Sequence, residues 1–195
     1  MSRFLQWRTG LRRFGKARSG VAAVEFALVA VPFFMLTFGL IEILMIGFAQ
    51  TSLDFAIAET GREIRTGRVQ QNGVSQAEIQ DELCDQVNRF MVLDCAGNLF
   101  LDVDSFNSFV AAAAGTTPPV DANGVFQTGG VGFQPGVDSS IVVVRVFYRW
   151  EVLTPLFEPV FANTGGGQRI LVSTMMFRNE PFGPTAPPPA PAPAT

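Results

Sequence analysis

Residues 18–26 read Arg-Ser-Gly-Val-Ala-Ala-Val-Glu-Phe, and residues 26–41 continue as Phe-Ala-Leu-Val-Ala-Val-Pro-Phe-Phe-Met-Leu-Thr-Phe-Gly-Leu-Ile without a single charge. The apolar run extends from Val21 to Ala49, with Glu25 near its start and Glu42 near its distal end. Some 28 helical residues suffice to cross a ~30 Å hydrocarbon core with tilt or overhang. A cleaved secretory signal has an apolar region of only ~7–15 residues and a small-residue cleavage site. This run is longer, and Gly47-Phe48-Ala49-Gln50 is a poor site, so residues 21–49 read as a transmembrane helix. Ahead of it, residues 1–20 form a basic leader with Arg3, Arg8, Arg12, Arg13, Lys16 and Arg18 and no acid, although the whole chain carries a net charge of −3. Such a patch holds the N-terminus in the cytoplasm and sends the residues after Phe48 outward. Nucleic-acid binding is the other meaning of a basic cluster, but on a leader beside a span it is not expected.

Within this run Glu25 needs an explanation. A carboxylate in a bilayer costs roughly 2.5–3.5 kcal/mol at the helix centre on insertion scales. Either it snorkels to the cytoplasmic interface, with Arg18 close by, or it meets a cation inside the membrane. The pattern of Gly20, small residues, Glu25 and the aromatic Phe26 resembles the processing site of type IV pilins and pseudopilins. That resemblance implies cleavage by a prepilin peptidase between Gly20 and Val21. It also implies that Glu25 neutralises the new α-amine of a neighbouring subunit and sets axial register. A single polar pair in an apolar helical bundle can do this.

The likeness narrows further along the chain. Glu25-Phe-Ala-Leu-Val-Ala-Val-Pro and Phe38-Gly-Leu-Ile-Glu42 are similar to the N-terminal signature of TadE-like pseudopilins of the Tad (Flp, tight-adherence) pilus system. Arg62-Glu-Ile-Arg-Thr-Gly67, the pair Cys84 and Cys95, and Phe177-Arg-Asn-Glu-Pro-Phe182 extend the resemblance over residues 18–182. Processed members of that family carry Tyr after the Glu, where this chain has Phe26. The resemblance implies other pilins and pseudopilins and the Tad inner-membrane assembly machinery as partners, besides the peptidase and membrane lipid.

Beyond the membrane, Leu53, Ala56, Ile57, Thr60 and Ile64 recur near a 3.6-residue period. Gly67 after Arg62 and Arg65 is a plausible C-cap with cations in the last turn. One long helix over 21–66 is expected, broken or bent near Pro32 or Gly47. Glu42 is expected to reach the outer interface. Arg62 and Arg65 read as solvated helix-end charges in preference to partner-binding ones. A second helix is expected at 75–90. Ser75 and Glu78 form a capping-box pattern there, and Ile79, Leu83, Val87 and Phe90 share one face.

Three strands follow, at 99–104, 141–151 and 170–178. In the second, Val142, Val144, Val146, Tyr148 and Trp150 share one face and the other mixes Val143 and Phe147 with Arg145, Arg149 and Glu151, the pattern of an antiparallel strand with one face buried and the other solvated. Short helices are expected at 104–114 and 154–161. Residues 115–136 read as a long Gly- and Pro-containing surface loop, and 165–167 as a connection before the last strand. Residues 184–195, nearly all Pro and Ala, read as an extended disordered tail.

An isolated cysteine pair in an oxidising compartment reads as a disulfide in preference to two free thiols, since the redox spacing Cys-x-x-Cys is absent. Closing a ~12-residue loop contributes about 3 kcal/mol on the chain-entropy model. The chain has no histidine, which removes the commonest general base and metal ligand. Two cysteines cannot build a zinc site alone, and no Gly-x-x-x-x-Gly-Lys-Ser/Thr loop occurs. Asp81/Glu82 and Asp102/Asp104 read as solvated carboxylates. No catalytic, metal or cofactor site is expected.

The expected architecture is α+β and pilin-like: leader 1–20, transmembrane helix 21–49, periplasmic domain 50–183 with an antiparallel sheet packed on helices, and tail 184–195. The expected function is that of a pseudopilin or minor pilin of a Tad/Flp-type pilus involved in adhesion, held in the bacterial inner membrane and incorporated in a surface pilus. The alternative is an uncleaved, single-span periplasmic assembly or binding factor that never enters a filament.

Overall fold

The first helix, α1, spans Val21–Arg65 without interruption. A computed structural model of the chain describes residues 20–89, 93–115, 119, 121, 125–164 and 167–183. The basic leader up to residue 19, Phe90, Gly165 and Gly166 and the Pro/Ala segment 184–195 lie outside these residues. The chain divides into two units between Ile41 and Glu42. The described part of the first is the proximal half of α1, with Phe26, Leu28, Val31 and Leu36 exposed. No break occurs at Pro32 or Gly47, because a proline removes one backbone donor and need not end a long helix.

The second unit is an α+β domain. After α1 come α2 (Arg68–Asn72), α3 (Gln76–Asn88), β1 (Leu99–Phe106), α4 (Phe109–Gly115), β2 (Ile141–Glu151), α5 (Glu158–Phe161) and β3 (Gln168–Arg178). The strands form an antiparallel sheet in the order β1-β2-β3. One face of the distal half of α1, with Ala49, Leu53, Ala56, Ile57 and Ile64 buried, shares a core with Ile79, Leu83 and Val87 of α3 and Val142, Val144 and Val146 of β2. Thr60, on the same helical face, is buried too.

α3 starts where its sequence chemistry says it should. The Ser75 side chain accepts from the Glu78 N–H, and the Glu78 carboxylate accepts from the Ser75 N–H at 2.8 Å. These reciprocal bonds satisfy two donors that a helix start leaves open. The Ser75 backbone N–H, then its hydroxyl, holds the Glu78 carboxyl below its usual range. A depressed carboxylate stabilises the fold above its unfolded pKa, and that contribution is lost as the pH falls through the folded one. Glu78→Gln is therefore expected to be less stable than the parent at neutral pH and to converge with it in acid. Ser75→Ala is expected to cost about 1 kcal/mol. Melting of the full chain in detergent micelles across pH checks both.

Two expectations need correction. The segment 104–114 is not one helix: β1 continues to Phe106 and α4 begins at Phe109. The backbone stays extended because Asp104, Ser105 and Phe106 pair with Val143, Val142 and Ile141, and the alanine run that favours a helix begins only at Ala111. β2 is not solvated on its second face, since Val143, Arg145 and Phe147 are all buried. α4 covers one end through Ala112, packed with Ile141, Val143 and Phe106. Along the same face Phe126 packs on Phe147 and Phe100 with ring centroids 5.2 and 5.1 Å apart. The Gly- and Pro-containing loop thus returns part of itself as a lid on the sheet.

Candidate functional site: an exposed apolar helix and the domain built on it

Gly20 immediately precedes α1 and Val21 is its first residue. Glu25 stands one turn further, on the same side of the helix as Val21, since positions four apart are neighbours. Glu25 and Phe26 are both exposed. α1 is long and apolar enough to cross a membrane, and its most apolar stretch is almost wholly exposed. A soluble core helix of that composition would have its apolar surface covered. Cys84 and Cys95 are joined by a disulfide that ties α3 to the segment before β1. Gly20 and Val21 belong to the first unit, and the disulfide belongs to the second.

Glu42 does not lie free at an interface. It is 2% exposed and receives three hydrogen bonds from the end of β2 and the turn beyond. Trp150 Nε1 donates to it at 3.4 Å, the Leu153 N–H at 3.0 Å and the Thr154 hydroxyl at 3.3 Å. The sequence shows only an acid at the end of an apolar run, and its partners lie more than a hundred residues away.

From there the helix tracks β3. Gln50 Nε2 donates to the Val172 carbonyl at 3.0 Å, and Ser173 Oγ to Asp54 at 2.6 Å. Gly61 lies against Met175 and Phe177, so closely that a Cβ there would sit 2.6 Å from the Met175 sulfur. The helix end meets the end of the strand. The Glu180 N–H donates to the Arg65 carbonyl at 2.9 Å, and the Arg65 and Glu180 side chains pair at 3.0 Å. Gly67, at φ +79°, receives the Phe182 ring against its α-carbon. The segments 62–67 and 177–182, far apart in sequence, therefore form one clamp. Asn179 secures it by donating to the Pro135 and Val137 carbonyls, both at 3.0 Å. Arg62 pairs with Glu59, and Arg65 with Glu180, on the solvent side.

Asp102 and Asp104 are not an equivalent solvated pair. Asp102 is buried against Arg145, which donates through Nε at 2.8 Å and through Nη2 at 2.5 Å. The other Asp102 oxygen accepts from the Gly132 N–H at 2.8 Å, so the ion pair also holds the loop. Asp104 lies at the margin, 3.4 Å from Arg145. Its pKa is raised, first by desolvation and then by the charge of Asp102, with Arg145 opposing. Asp81 and Glu82 are exposed. No group of three His, Cys, Asp or Glu side chains able to hold a metal occurs among the described residues. The geometry offers surfaces for packing, and its buried charges are committed to holding the fold.

These features define a class: an α+β domain assembled on the distal half of a helix whose proximal half is apolar and uncovered. Residues 20–62 match the family model described as TadE-like protein, so the chain carries a TadE-like domain over that helix. TadE-like proteins are a structural, pilin-type family of the Tad pilus system, and the match links this chain to that system through its first helix alone. No curated protein and no solved structure matches the chain.

Proposed function

We propose that this protein is a membrane-inserted pseudopilin or minor pilin that helps to assemble a Tad-type adhesive pilus. It is processed by a prepilin peptidase between Gly20 and Val21, held in the inner membrane with its domain periplasmic, and packed against other pilins through α1. The observation that carries this reading is the helix itself. It opens at Val21, is uncharged from Phe26 to Ile41 with its large apolar side chains exposed, and bears one carboxylate a turn from its start. Cleavage would leave an α-amine on Val21. The amine and the unpaired N–H groups of the first turn together make that end positive. A Glu25 from an adjacent helix meets that charge only at one axial offset, which fixes register as the apolar faces pack.

A second reading is favoured by Phe26, which stands where processed relatives carry Tyr. In it the chain stays uncleaved and serves as a single-span periplasmic assembly factor, with Glu25 at the cytoplasmic interface. Intact mass and N-terminal sequencing of protein from its native membrane separate the two. The pilin reading expects a chain that starts at Val21, is lighter by residues 1–20, and is kept at full length by Gly20→Leu. It further expects Glu25→Ala to be cleaved normally yet lost from filaments. A parent chain still starting at Met1 beside its active peptidase would leave the anchor reading standing.

A further inference from the structure

Beyond β2 the chain makes two short turns, Pro155–Phe157 and α5, and these carry uncovered apolar side chains. Leu153 and Leu156 are each 60% exposed and Val160 is 71% exposed. In residues 152–162 the only charged side chain is Glu158. This patch has a fixed address, because Leu153 and Thr154 are hydrogen-bonded to Glu42. Glu42 lies 21 residues beyond Val21, about 31 Å at the α-helical rise, which is about one hydrocarbon thickness. Ile43, Leu44 and Phe48 beside it are themselves exposed.

We propose that residues 153–161 form a second membrane contact. They are a foot that sets Leu153, Leu156 and Val160 into the outer interface of the bilayer that α1 crosses. Its backbone suits that medium. The Phe157 and Ala162 N–H groups are satisfied by the Thr154 and Glu158 carbonyls at 2.9 Å, and Pro155 and Pro159 have no N–H to satisfy. Backbone donors left open are what a bilayer penalises most. Arg169 Nη1 holds the Phe161 carbonyl at 3.0 Å, so the segment is braced on β3. Glu42, Trp150 and the foot are thus held together at the start of the domain. The patch of Phe109 and Val110 on α4 is equally exposed, but it lies at the opposite end of β2, beside Ile141.

The proposal rests on the reading of α1 as a helix that crosses the membrane from Val21 onward, and its test keeps the two apart. The full chain, with its disulfide intact, carries a nitroxide at Leu156→Cys, Val160→Cys, Leu36→Cys or Val110→Cys. Each variant is reconstituted in vesicles of phosphatidylethanolamine and phosphatidylglycerol. Collision with oxygen, which enters lipid, is compared with collision with a water-soluble nickel chelate. The expected oxygen-to-nickel ratio at 156 and 160 is several-fold above that at 110 and below that at 36. If 156 and 160 match 110 while 36 reports lipid, the foot is wrong and the span stands. Shielding of 156 from both reagents would mean a protein partner covers it, which also overturns the proposal. Water at 36 would remove the span and the foot together.

Discussion

Replacing Arg145 with methionine is expected to cost the domain about 3–5 kcal/mol, because it leaves the Asp102 carboxylate buried without its cation. Asp102 has a side chain only 1% exposed, and Arg145 one 9% exposed. Water therefore cannot solvate the orphaned charge without opening the Gly132 loop that Asp102 also holds. The double variant Asp102→Asn/Arg145→Met is expected to recover most of that loss. Its amide oxygen still accepts from Gly132, and a buried apolar side chain often matches an ion pair in stability. A double-mutant cycle on the full chain in micelles, with denaturation followed by tryptophan fluorescence, measures the coupling. Equal losses in the single and double variants would show that the pair contributes through shape alone. Asp104 supplies a check of opposite sign to Glu78. Its raised pKa contributes stability that is present in acid and lost as the pH rises through the folded value.

Gly67→Val is the second severe change. Position 67 has φ +79°, which costs an L-residue about 1–2 kcal/mol. A Cβ there would also overlap the Phe182 ring, adding about 1–3 kcal/mol of overpacking. The two causes separate by design. Gly67→Asn keeps the crowding and relieves the backbone, since asparagine tolerates the left-handed region. Gly67→Ala with Phe182→Ala keeps the backbone strain and removes the crowding. Limited proteolysis after residue 176 is expected to accelerate in Gly67→Val, because 177–182 is released from the helix end. If cleavage is unchanged, the clamp is not what holds that segment.

What the sequence reveals and what it hides divide along a physical line. The buried stripe Leu53, Ala56, Ile57, Thr60 and Ile64, the capping box at Ser75 and the three strands rest on local periodicity and local bonds, so they are readable from a short window. Arg145 breaks the apolar run of β2 and therefore looks like a solvent position. Its burial depends on Asp102, 43 residues away, and on a loop with no periodicity. Glu42 is hidden for the same reason, its partners being Trp150, Leu153 and Thr154. Arg62-Glu-Ile-Arg-Thr-Gly67 and Phe177-Arg-Asn-Glu-Pro-Phe182 stand out as separate motifs, but only the fold shows that they grip each other. Gly20, Val21 and Glu25 are legible as chemistry on a helix, and their effect is expressed between molecules.

The pairing of α1 with β3 has a consequence for how the molecule can be extended. Contacts run in step from Gln50 with Val172, through Gly61 with Phe177, to Gly67 with Phe182. Helix and strand therefore advance in the same direction, and Glu42 and Arg65 are about 35 Å apart at the helical rise. The domain is a through-passage: the polypeptide enters beside Glu42 and departs after Gly183 at the other pole. A cargo or epitope joined after Gly183 is therefore presented at the end of the domain away from Glu42 and leaves the face around Glu42 clear.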